Sequence, residues 1–180
     1  MRQTRSLSRS KGGSVLTEFA ILAPVFFLTI MGLVEFVLYQ YKAYALNFVT
    51  YEAARNLQTG EVNAAARPNA TPQQARDDMA AAFREEACNK SGMMIDCNKI
   101  DYDVRAFTNI GDVTFPEAQF DEDGKPIGWD IIPGTQGQFS VVRASIEHTF
   151  ITPFMGEIFR EPETNKALLT SFVIVRNEPW

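Results

Sequence analysis

From Val15 to Tyr39 the chain runs for 25 residues with only Thr17, Glu18, Thr29 and Glu35 as polar interruptions. As a helix this run extends about 37 Å, enough to cross a hydrocarbon core of about 30 Å with some tilt. Three kinds of segment share such apolarity. A secretory signal peptide has an apolar stretch of only about 7–15 residues. Ala43 and Ala45 form an A-x-A pattern in "KAYALN", but the run before them is too long for that reading. A buried core helix fits poorly with near-continuous apolarity behind a basic flank. A single membrane span accommodates both features. Pro24, just past Glu18, removes one backbone hydrogen bond and softens the helix.

Charge gives the span a direction. Arg2, Arg5, Arg9 and Lys11 precede Ser14 with no acidic residue among them, and all 22 carboxylates follow it. Cations beside a span mark its cytoplasmic side, so the remainder is expected outside. From Lys42 onward, 13 basic and 20 acidic side chains leave a net charge of −7. That part carries no basic stripe with interleaved aromatics, which argues against nucleic acid as a partner. A length of 180 residues allows one ordinary domain and an appendage.

Two carboxylates lie within the apolar run. Near the end of a span such a group is costly unless neutralised or paired. For Glu18 the alternatives are a hydrated position at the headgroups or a functional one. Glu35, near the outer end, either reaches water at the interface or pairs with a partner helix in the membrane. Gly32, one turn earlier, would allow that helix to approach closely.

Helical spacing continues past the run. Tyr41, Tyr44, Phe48, Tyr51, Ala54 and Leu57 mark one apolar stripe, and Gly60 suits a stop. The reading is one helix from about Ser14 to Gln58, some 65 Å long, half in lipid and half packed on a small domain. Tyr39, Tyr41 and Tyr44 fall at the level of an interfacial aromatic belt. After a loop over residues 61–70, Thr71-Pro72-Gln73-Gln74 supplies an N-cap, a proline at the first helical position and a capping-box glutamine. This second helix is expected to reach about Ala87, with Met79, Ala82 and Phe83 inward.

Cys88 and Cys97 enclose eight residues that include turn formers. Outside the cytoplasm a disulfide is the natural reading, with two buried thiols as the alternative. A metal site would need more ligands than these two and the single histidine, His148. Three alternating strands follow. Ile100–Phe107 sets Tyr102, Val104 and Ala106 opposite Asp101, Asp103 and Arg105. Phe139–Phe150 turns Val142, Ala144, Ile146 and Phe150 inward. Leu168–Arg176, almost continuously apolar, suits a central strand. "DEDG" reads as a solvated turn at Asp123-Gly124. "TPFMGEIF", Thr152–Phe159, reads as a short helix packed on the core or as an exposed contact patch. The fold class is α+β: a long N-terminal helix, a second helix and an antiparallel sheet.

Chemistry-bearing motifs are sparse. There is no P-loop, dinucleotide fingerprint or zinc-protease helix, no catalytic residue set stands out, and no cofactor or metal is expected. His148, on an apolar strand face, reads as structural.

"GGSVLTEFAILAPVFFLTIMGLVEF", residues 12–36, resembles a class III signal peptide of the type cleaved by prepilin peptidases. It is most similar to that of TadE-like minor pilins, or pseudopilins, of the tight-adherence (Flp-type, type IV-like) pilus system. "GLVEF", Gly32–Phe36, and the ending "VIVRNEPW" are also similar to the family. The resemblance implies a pilin-like fold, with cleavage between Gly13 and Ser14, Glu18 as mature residue five and Phe19 as residue six. Gly12 stands where such leaders often carry a cation, which leaves Gly12–Gly13 as an alternative cut. The implied organisation is a leader over 1–13, a transmembrane helix over 14–39 and an extracytoplasmic domain over 40–180.

The implied function is non-enzymatic assembly of an adhesion pilus from the bacterial inner membrane. The implied partners are the prepilin peptidase, other minor pilins, the major Flp pilin, the assembly platform and membrane lipid. Glu18 and Phe19 would serve processing or subunit docking, since a new α-amine at Ser14 and a carboxylate attract strongly away from bulk water. The alternative is a signal-anchored envelope protein, receptor or enzyme, whose outer domain acts alone.

Overall fold

The computed structural model describes residues 12–66, 68–91, 95–114, 119–121, 125–152 and 167–179, with side chains from Val15 onward. The basic leader, the Asp123-Gly124 turn and the segment after Thr152 in "TPFMGEIF" lie outside the described residues.

Helix α1 spans Gly12–Gln58 and runs unbroken through Pro24. Along its apolar half the Thr29 hydroxyl donates to the Val25 carbonyl at 2.8 Å, so this polar group needs no water. The helix stops where Gly60 adopts a φ of 79°, a conformation that suits glycine.

Its buried face coincides with the expected stripe only at Ala54 and Leu57. Ala45, Leu46, Val49, Ala53, Ala54 and Leu57 pack inward, whereas Tyr41, Tyr44, Phe48 and Tyr51 are exposed. Two stripes on this helix have helical spacing, and the domain can lie closely against only one. It takes the alanine-bearing face, where backbones can approach. The tyrosines, whose hydroxyls need partners, turn outward.

Helix α2, Pro72–Ser91, opens on the capping box. The Gln74 N–H donates to the Thr71 hydroxyl at 3.3 Å, and the Thr71 N–H donates to the Gln74 side chain at 3.0 Å. Its buried Phe83 meets Tyr102 edge to face, with ring centroids 5.3 Å apart. Cys88, near the end of α2, and Cys97 bring their Cα atoms to 5.1 Å, within the range a disulfide spans.

Strands β1 (Ile100–Phe107), β2 (Phe139–His148) and β3 (Ala167–Arg176) form an antiparallel sheet in the order β1-β2-β3. Thus β2, not β3, is central. Both faces of β2 are buried: Val142, Ala144 and Ile146 on one, Val141, Arg143 and Ser145 on the other. β3 is an edge strand whose Ala167, Leu169 and Ser171 are buried while Phe172 and Ile174 remain exposed. Ser171 sits opposite Ala144, and its hydroxyl donates to the Asn47 side chain of α1 at 2.6 Å.

The chain end after β3 is held in place. The Asn177 side chain accepts from the Ser140 hydroxyl at 2.9 Å and donates to the Thr135 carbonyl at 3.0 Å. The Glu178 N–H donates to the Gln58 carbonyl at 2.9 Å, occupying one of the carbonyls left open at the end of α1.

Candidate functional site

The first candidate surface is the N-terminal half of α1. Its most apolar 18-residue window has a mean hydropathy of 2.4, and the helix is long and apolar enough for membrane anchoring. Phe19, 65% exposed, projects from it, and Glu18 is also exposed. Gly13 and Ser14 belong to its first turn. An added Cβ at Gly32 would meet nothing within 4 Å among the described residues, so none of them uses that glycine for close approach.

Glu35 is different. It is only 7% exposed, and its carboxylate accepts two backbone N–H groups from the loop after β2, those of Ile151 and Thr152. The Thr152 contact measures 2.8 Å. Neither hydration nor a partner helix is therefore needed to satisfy Glu35. Its donors come from residues more than a hundred positions later in the same chain, a pairing that no local pattern announces. Glu18 and Glu35, 17 residues apart on one helix, are separated by about 25 Å along its axis and do not meet.

One turn beyond Glu35, Tyr39 completes the junction. Its ring stacks on Phe150 at 5.6 Å and meets His148 edge to face at 5.4 Å. His148 is buried, and among the described residues neither of its ring nitrogens has a hydrogen-bond partner. Burial, assisted by the Lys42 ammonium and opposed by Glu35, holds its pKa below the ordinary value. Among the described residues its ring contacts are Tyr39 and Phe150.

On the other face of the sheet, where alternation set Asp103 opposite Tyr102 and Val104, lies a buried ion pair. Asp103 on β1 accepts from Arg143 on β2 at 2.8 Å, with side-chain exposures of 2% and 8%. The Arg143 guanidinium also lies 4.4 Å from the Trp129 ring centroid. A segment at 130–132 pairs with the edge of β1 away from β2: Val104 N–H donates to the Asp130 carbonyl at 2.7 Å, and Ile132 N–H to the Val104 carbonyl at 2.9 Å. Alternation identified the face of Asp103 and Arg105 but not the loop that covers it. Among the described residues no group of three or more His, Cys, Asp or Glu side chains is arranged to hold a metal.

Comparison with known proteins gives one finding. Residues 13–55 match the family described as TadE-like protein. No curated protein and no solved structure matches the chain. The matched span starts at the glycine before Ser14 and covers almost all of α1, including Glu18, Gly32 and Glu35. Over that N-terminal helix the chain is similar to TadE-like proteins.

Proposed function

We propose that this chain is a minor pilin, or pseudopilin, that primes or enters a tight-adherence Flp-type pilus and has no enzymatic role. A prepilin peptidase cuts between Gly13 and Ser14. The mature subunit then resides in the bacterial inner membrane, N-terminus cytoplasmic and C-terminal domain outside, where Cys88 and Cys97 form a disulfide. Other minor pilins, the major Flp pilin and the assembly platform are its partners.

The observation that carries this reading is the continuity of the TadE-like segment. One helix leaves an exposed apolar half at its N-terminal end and enters the folded domain at the other, with no linker between. A free-standing receptor or enzyme has no need of that rigid connection. A subunit that must present its domain in a fixed relation to membrane neighbours does. Glu18 then pairs with an α-amine, its own or a neighbour's, in a poorly hydrated setting.

The test is pilus yield from cells carrying Glu18→Ala, with membrane level and the mature N-terminus measured alongside. The expected result is a processed, inserted protein starting at Ser14 and a loss of surface pili. Normal piliation by a fully processed Glu18→Ala chain would refute the docking role. A mature N-terminus at Leu46 would refute the pilin reading as a whole.

A further inference from the structure

The junction at Glu35 bears on where the folded domain meets the lipid. Ile151 is 84% exposed although it lies in a well-tied segment between Phe150, stacked on Tyr39, and Thr152, which is buried. Beside it is a recess of about 210 Å³ lined by Ile30, Met31, Val34, Leu38, Ile151 and the Glu35–Thr152 contact. The walls contributed by α1 are apolar residues of the helix half that suits a bilayer, and Met31, Val34 and Leu38 are themselves exposed. An isoleucine so exposed, held by two backbone hydrogen bonds against a lipid-compatible helix, has apolar surface continuous with that helix.

Length selects the level. Val15–Val34 rises about 30 Å, equal to a hydrocarbon core of about 30 Å. Placing the boundary at Glu35 leaves Tyr39, Tyr41 and Lys42 about 6–11 Å above it, in the zone where aromatic rings and cations favour the headgroups. Placing it at Tyr39 would instead sink Glu35 and two loop peptide groups about 6 Å into hydrocarbon, where polar groups are expensive.

We propose that Phe150–Thr152 is a membrane-contacting shoulder: Ile151 enters the outer acyl boundary beside Met31 and Val34, while Glu35 ties the loop backbone just above it. The occupant of the recess is lipid acyl chain. Glu35 is thereby a positioning residue that registers the folded domain against the bilayer, and the span ends at Val34. This rests on the reading of α1 as a membrane anchor, and the experiment separates the two.

The full chain is reconstituted in phosphatidylcholine vesicles whose acyl chains carry bromine either close to the headgroup or near the chain end. Tryptophan quenching is read for Ile151→Trp, for Phe26→Trp in mid-span and for Ile110→Trp at the far end of the domain. The parent chain's Trp129 and Trp180 supply the baseline. Ile151→Trp is expected to be quenched at least twofold more by the shallow bromines than by the deep ones, Phe26→Trp in the reverse order, and Ile110→Trp by neither. Adding Glu35→Ala to Ile151→Trp should lower its quenching by half or more.

An unquenched Ile151→Trp beside a quenched Phe26→Trp overturns the shoulder and leaves the anchor standing. Failure of both overturns the anchor. An Ile151→Trp signal that is shielded without bromine quenching, and that changes with protein-to-lipid ratio, assigns the surface to a second protein copy and overturns the lipid assignment. Quenching unchanged by Glu35→Ala overturns the role of Glu35.

Discussion

Replacing Asp103 with alanine tests whether the sheet's covered face depends on one ion pair. Arg143 is 8% exposed and donates to Asp103 at 2.8 Å. Removing the carboxylate leaves a buried guanidinium that has lost its 2.8 Å counter-charge and still faces the Trp129 ring. Breaking a buried pair in this way costs about 3–5 kcal/mol. A retained cation–π contact, worth about 1–2 kcal/mol when desolvated, places the expected loss toward the lower end of that range. Arg105 provides an internal control. It contacts the same carboxylate at 3.1 Å, but its own side chain is 37% exposed. Its removal should cost no more than about 1 kcal/mol, as solvent-screened pairs do.

The assay is urea unfolding of the detergent-solubilised full chain, followed by Trp129 fluorescence, with stability taken from midpoint and slope. Replacing both partners by apolar residues, Asp103→Leu with Arg143→Met, should recover most of the loss, because no uncompensated charge remains. A loss below about 1 kcal/mol for Asp103→Ala would refute the reasoning, as would a double variant as unstable as the sum of the single changes.

His148 makes stability pH-dependent with a fixed sign. Its folded pKa is depressed, so the unfolded chain binds more protons. Its contribution is therefore complete above the ordinary histidine value of about 6.5 and is lost as pH falls through that value toward the folded one. The packed replacement His148→Phe should flatten stability measured between about pH 7 and pH 5, and an unchanged slope would exclude this group as the cause. Gly134 tests the tie at the chain end. An added Cβ would lie 2.9 Å from both Asn177 Nδ2 and Ser140 Oγ. Gly134→Ala should cost about 1–3 kcal/mol in urea unfolding, and a loss below about 0.5 kcal/mol would show that the Asn177 network gives way easily.

What could be read from the sequence was what local rules determine. The Thr71–Gln74 box places its partners three residues apart, and α2 begins where it directs. Gly60 ends α1, and Ile100–Phe107 alternates as β1. The same rules could not choose between two apolar faces of α1, because periodicity reports that a stripe exists and not which surface a sheet will cover. Nor could they order the strands. Leu168–Arg176 is as apolar as a central strand, but part of that apolarity remains on the exposed Phe172 and Ile174 of an edge. The least legible features join distant positions: Glu35 to the loop after β2, Asp103 to Arg143, and Asn177 to Ser140. Each is a polar residue whose burial is set by tertiary partners, so composition alone assigns it to the surface or leaves its partner open.

The contacts along α1 have a mechanical consequence. The domain grips the helix at Glu35 through Ile151 and Thr152, at Tyr39 through His148 and Phe150, at Asn47 through Ser171 and at Gln58 through Glu178. From Glu35 to Gln58 these attachments are spread over about 35 Å of helix, so rocking the domain on α1 would require several of them to break together. On the pilin reading, the position of Glu18 relative to a neighbour then sets the height and rotation of the outer domain as well. The two differ only by whatever bend Pro24 admits between them. A Pro24→Ala substitution stiffens that connection without touching either end. If Pro24 supplies needed compliance, this variant should insert and be processed normally, yet assemble fewer pili. Piliation equal to the parent's would show that α1 works as a rigid rod from Ser14 to the folded domain.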